Sequence, residues 1–470
     1  MKYLSNFRMA MAAALMCLPL LFASCSKDEE TSTTPTTTPT TQRDRARYTV
    51  MVYGNAGGKM DYIIEDMWNQ LKPMLNDSTD VRMVYLYKYG AESENFSGRY
   101  GNPGDVVWFE LNSETNLDSL KYSSALQAPD FPLYEPYMLA NYIKAVKQKC
   151  PADNYIFVLW GHGGGYDIVR DRPNHIVAKG VLYDELAEGK GMTMYEFADG
   201  LATAGNTHFP LIMFHNCLMG NIETVTEVQQ YADYFFVSSH VLESDGEPIM
   251  ELVKAIRGND DYNFEHTAAK WFRTLCPIYD QFVETATDLN QSLDFKVIRS
   301  SGLENLNVYL MGVANRLYDL YSDPVRKAEI DSAAAHYLYT YHTSSPYLVD
   351  LDHYMQTLGE NVNDDTLRTY CQQVRTLLDE MIIQRWHYMI HPIGFDDFSL
   401  SIVFGNNQFL HTAVRGNTIA SAYYPSVFNR RTGWAEWLDA NTFLPDKMIC
   451  PQGGLVAFSW QTYFDILENL

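Results

Sequence analysis

Six short runs of aliphatic, β-branched and aromatic residues, separated by stretches of helical periodicity, constrain this fold more than any other feature. They lie at 48–53, 81–87, 106–111, 155–160, 211–214 and 234–237. Strands that are apolar at nearly every position have to be buried on both faces, as in a parallel sheet covered by helices. The intervening stretches at 60–74, 136–149 and 222–231 supply helices with apolar residues at the required spacing. The predicted fold class is therefore α/β, a mostly parallel sheet flanked by helices. Ligands in such a sheet bind beyond the carboxyl ends of its strands.

Past residue 247 the pattern turns largely helical, with long stretches at 261–285, 303–322 and 364–385. A late strand is expected at 399–404, and the aromatic segment 434–438 follows it. This half is either a second domain or the completion of the first. The expected division is a leader at 1–24, a tether at 25–46, a core at 47–260 and a mainly helical region with the late strand at 261–470.

With 470 residues, 46% of them hydrophobic, the chain can bury a large core. Its net charge of −23 argues against nucleic acid as a partner, since binding phosphates needs clustered Lys and Arg. It argues equally against broad adhesion to anionic lipid. No Asp-x-Asp-x-Asp-Gly loop appears, so the sequence gives no ground for a cofactor or metal and leaves a need for calcium open. Five of the seven cysteines (Cys150, Cys217, Cys276, Cys371 and Cys450) fall in the folded part. Their odd number and lack of CxxC pairing suggest neither a disulfide framework nor a zinc site.

The N-terminus has the form of an export signal. Lys2 and Arg8 precede an apolar run, 9–23, that is too short to span a bilayer. The run ends Leu21-Phe-Ala-Ser-Cys25, which resembles a bacterial lipobox with Cys25 as the lipidated first residue of the mature chain. The acidic Asp28-Glu-Glu30 and a Thr/Ser/Pro tether, 31–41, follow. The expected location is the bacterial envelope, outer membrane or cell surface, with membrane contact through the lipid alone.

Two strand ends carry the chemistry. Trp160-Gly-His162-Gly-Gly-Gly165 directly follows one apolar strand, and Phe214-His-Asn-Cys217-Leu-Met-Gly220 follows another. Either residue alone has an ordinary reading. A cysteine after a strand is often a small buried hydrophobe, and a histidine in a loop is often polar surface. Together, a thiol and an imidazole on neighbouring strand ends suffice for covalent acyl transfer. The thiolate attacks a carbonyl and the imidazole protonates the leaving amine.

These two motifs, with Asn221-Ile-Glu-Thr-Val225, Tyr231-Ala-Asp-Tyr234, Ser244-Asp-Gly246, Asp350-Leu351, 400–404 and Thr432-Gly-Trp434, resemble the clostripain family of cysteine peptidases. That family is related to caspases, gingipains and legumain. The resemblance implies a caspase-like sheet, a peptide or protein substrate, Cys217 as nucleophile and His162 as its partner. It places the oxyanion hole at the backbone N–H groups of Gly163 and Cys217. It also implies cleavage after Arg or Lys through acidic pocket residues, of which Asp245 matches one. The position of the other is held by His215, a partly cationic side chain, so the specificity pocket is altered. His240 stands where an acid is common, and Gly57-Gly58 where an Asp-Asn pair is usual. The segment 166–190, with Arg170, Arg172, Lys179 and Lys190, is placed for self-cleavage between the two motifs. The rival reading is an inactive or latent surface lipoprotein that binds a peptide or protein. A thiol-dependent acyl transferase is a third.

Overall fold

The computed structural model describes residues 45–55, 59–90, 100–122, 131–166, 180–187, 190–242, 246–257, 259, 263–287, 289, 292–334, 348–389, 397–414, 417–443, 448–450 and 454–456. Eight strands form its central sheet. They are β1 (Ala46–Asn55), β2 (Val81–Lys88), β3 (Val106–Leu111), β4 (Ala152–Trp160), β5 (Phe209–His215), β6 (Ala232–Val237), β7 (Leu293–Arg299) and β8 (Ile382–Tyr388). Their spatial order is β8-β7-β6-β5-β4-β1-β2-β3. The five strands from β6 to β2 run parallel. The outer strands β3, β7 and β8 are each antiparallel to their inner neighbours.

The parallel block explains the unbroken apolar runs. In β1, Val50 and Val52 face one layer, while Met51 and Tyr53 face the other, and all four are inaccessible to solvent. The first layer is built by α1 (Lys59–Leu71), α5 (Glu247–Ile256) and α6 (Phe264–Thr285) through Trp68, Leu252 and Trp271. The second is built by α2 (Pro136–Lys149), α3 (Met194–Thr203), α4 (Ile222–Val228), α7 (Leu303–Leu320), α8 (Leu351–Asn361) and α9 (Asp365–Met381). Helices on both faces leave the carboxyl ends of the parallel strands as the open edge.

The helices at 303–322 and 364–385 were expected to run longer than they do. α9 stops at Met381, and Ile382–Tyr388 crosses directly into the sheet as an edge strand against β7. Its Trp386 ring stacks on Phe295 at 5.1 Å, and the indole N–H donates to Asp280 at 2.8 Å. Aromatic packing and β-branched residues at 382–383 override the helical period here. The late strand is shorter than expected, Ser401–Val403, and pairs with Leu348–Asp350 in a ladder of its own. That ladder touches the carboxyl edge, where the Ser401 amide donates to the Gly220 carbonyl at 2.8 Å.

Candidate active site

β4 and β5 are adjacent and parallel, and their last paired rung is Trp160 with His215. The two rings on that rung stack 12° from parallel, with centroids 4.3 Å apart. His162 and Cys217 each lie two residues past it, so the register carries both to the same level beyond the sheet edge. Both are half-buried. Two glycines allow the chain to turn there. Gly161 has φ +152°, and a Cβ on it would meet the Asn55 carbonyl oxygen at 2.3 Å. A Cβ on Gly163 would sit 2.2 Å from the Cys217 carbonyl oxygen and 3.0 Å from the Cys217 nitrogen. The His162–Gly163 turn therefore lies directly against the Cys217 backbone, closer than any larger residue permits.

Asn216 ties the two strand ends together. Its buried side-chain amide donates to the carbonyls of Gly161 at 3.1 Å, Val181 at 3.3 Å and His162 at 3.4 Å. Immediately after Cys217, Leu218 adopts φ +64°, a conformation that non-glycine residues reach only when their surroundings hold them in it. Its amide donates to the His240 carbonyl at 2.8 Å, and its own carbonyl accepts from the Asn221 side chain at 3.0 Å. Gly220 is enclosed as well, since a Cβ there would meet the Ser239 nitrogen at 2.6 Å. Asn221 caps α4, accepting from the Thr224 amide at 2.9 Å. On its other side Cys217 is met by the 238–242 segment, where the Leu242 amide donates to Sγ at 3.4 Å.

With this geometry established, known proteins locate the fold. The model of the clostripain family matches residues 124–444, a span that contains both strand ends. The chain belongs to the clostripain family. Clostripain from Hathewaya histolytica is 22% identical over 252 residues, which is 48% of this chain and 45% of that protein. The match thus spans less than half the length of this curated relative. A secreted C11 cysteine protease from Bacteroides thetaiotaomicron, solved with an irreversible peptide inhibitor, superposes with TM-score 0.54 at 16% identity. That alignment covers 83% of this chain and 99% of the other. An inactive zymogen C11 protease from Parabacteroides distasonis superposes with TM-score 0.51 at 16% identity, covering 83% and 98%. These likenesses establish a clostripain-type α/β fold.

Within that fold, two expectations about charge change. His215 is 2% exposed under Trp160, and burial pushes its imidazole down to about 3. It is therefore neutral at physiological pH, not partly cationic, and in this structure it supports the floor beneath the strand ends. His240 is equally buried, and burial lowers it too. Its Nδ1 lies 3.1 Å from an Asp294 carboxylate oxygen, so an acid does reach this place, from β7. Asp245, Gly57 and Gly58, Cys25, and Arg170, Arg172 and Lys179 of the self-cleavage segment lie outside the described residues. Lys190, the last basic residue of that segment, pairs in a short ladder with Asp184. The sequence reading overlooked Asn216 as a tie, although it stands directly before Cys217, and it overlooked Asp294, whose only signal was a charge within an apolar run.

Proposed function

We propose that this protein is a cysteine endopeptidase that hydrolyses peptide bonds through a Cys217–His162 dyad. The β4–β5 register carries the reading. It brings a thiol and an imidazole to one level at the open sheet edge, with Asn216 fastening the two loops. Cys217 attacks the scissile carbonyl as thiolate, and His162 protonates the departing amine. The packing of the Gly163 turn on Cys217 supports the backbone N–H groups of Gly163 and Cys217 as the oxyanion hole. Burial keeps His215 neutral, so it sets no positive charge against a basic substrate side chain, and this supports a preference for Arg or Lys. The lipobox at Cys25 supports export and lipid anchoring, in keeping with a solved relative described as secreted.

The test is cleavage of a diverse peptide library by the purified protein, with Cys217→Ala as control. Cuts that require Cys217 and cluster after Arg or Lys are expected. A thiol-reduced, folded sample that shows no Cys217-dependent cut would refute the reading. The same samples on a denaturing gel report self-cleavage in 166–190, which should be absent from the Cys217→Ala protein.

A further inference from the structure

Among the described residues, a buried charge cluster beside the candidate nucleophile has no part in the chemistry described so far. Asp294 and Lys296 sit on β7, each at most 1% exposed, and they form an ion pair. One Asp294 carboxylate oxygen accepts from the His240 amide at 2.8 Å, His240 Nδ1 at 3.1 Å and the Ser238 hydroxyl at 3.1 Å. The other accepts from the Ser239 amide at 3.3 Å as well as from Lys296. Lys296 also donates to the Ser399 carbonyl at 2.7 Å and the Ser239 hydroxyl at 3.1 Å. Val241 then bridges to Leu293 at the start of β7.

Most of these bonds fix the segment 238–242, and Lys296 adds a tie to Ser399. That segment faces the cysteine loop with its other side. The Ser238 carbonyl accepts from Gly220 at 2.6 Å, the His240 carbonyl accepts from Leu218 at 2.8 Å, and the Leu242 amide reaches Cys217 Sγ. An amide N–H aimed at sulfur favours the thiolate over the thiol, because only the anion is a strong acceptor. A buried ion pair is weak evidence for stability, and most of this cluster's bonds converge on one loop.

We propose that Asp294 is a positioning residue for the thiol: from β7 it clamps residues 238–242 so that the Leu242 amide is held on Cys217 and favours its thiolate. This rests on Cys217 being the nucleophile. Among the described residues, the charged and titratable groups around the clamp are Asp294 and Lys296 of β7, His240 itself, His387 of β8 and Asp350, which faces Lys296. The His162–Gly163 turn lies against the Cys217 backbone from the β4 side. Burial alone would raise the Asp294 carboxyl, but Lys296 and His240 outweigh it and hold it below the usual carboxylate range.

Iodoacetamide alkylation of Cys217 in the full protein, followed against pH with the modified site assigned by mass spectrometry, tests the clamp. The mass assignment separates Cys217 from the other thiols, of which burial pushes Cys276 up to about 11 and Cys371 up to about 12. Leu242→Pro, which deletes the donor and keeps every Asp294 contact to 238–240, should move the alkylation midpoint up by about one pH unit, roughly a tenfold loss of rate at neutral pH. Asp294→Asn should move it in the same direction, and His162→Ala should leave a midpoint still below that of an ordinary thiol, about 8.5. An unchanged midpoint in Leu242→Pro overturns the proposal. So does a normal midpoint in His162→Ala, which decides the matter even where a clamp variant fails to fold. A shift in Leu242→Pro without one in Asp294→Asn removes Asp294 from the account. Peptide cleavage is not read here, so a lowered midpoint without Cys217-dependent cutting refutes the peptidase reading and leaves the clamp standing.

Discussion

At the scale of single residues, the site depends on contacts that only one side-chain chemistry supplies. Asn216 is the clearest case, because its amide faces three backbone carbonyls. Asn216→Asp keeps the shape and reverses the polarity, setting a carboxylate against those oxygens. Unfolding in urea should show a loss of about 2–4 kcal/mol, the range for an uncompensated buried charge. Activity should fall by about tenfold or more, mainly in kcat, because the His162 loop loses its tether to Cys217. Unchanged kcat in a folded Asn216→Asp protein would show that the tether does not position the dyad. His162, Gly163 and Cys217 were legible as a motif because glycines and reactive side chains follow apolar runs directly. The burial of His215 was not, since its neutrality depends on Trp160 of another strand lying over it.

At the scale of elements, what was legible follows from periodicity. The parallel strands declared themselves by apolar residues at nearly every position, and α2 fell on its expected bounds because Pro136 fixes its start. β7 was hidden because Asp294 and Lys296 interrupt its apolar face, and only their mutual pairing inside the fold makes a buried strand of them. β8 was hidden because its first residues continue the pattern of α9. Another long-range link joins α4 to the late ladder. Glu223 of α4 accepts from the Val403 amide and the Tyr423 hydroxyl, each at 2.8 Å. Burial raises its carboxyl to about 7 from an ordinary 4.5. Between those values the folded chain keeps a proton that the unfolded chain releases, so this contribution to stability is complete below about pH 4.5 and is lost as pH rises through 7. Glu223→Gln retains the acceptor and cannot titrate. Relative to it, the parent protein should lose up to about 3 kcal/mol between pH 5 and 8 in chemical unfolding. Parallel stability curves for the two proteins would show that Glu223 ionises freely in the folded state.

At the scale of the whole molecule, the two halves of the chain meet in one sheet. Strands from the first half carry His162 and Cys217 to one level beyond the sheet edge, and β7 and the 399–403 segment from the second half brace the loop that follows Cys217. The family was legible because the strand-end motifs are local in sequence. The bracing was not, because its partners lie far along the chain and carry no shared pattern. The central claim is that His162 and Cys217 act as one unit. Its most direct test is a cycle of His162→Ala, Cys217→Ala and the double variant, comparing kcat/KM on the best library peptide. Residues of one catalytic unit are non-additive, so each single change should abolish nearly all activity and the double should be no worse. Retained cleavage in either single variant, or losses that multiply in the double, would contradict the account.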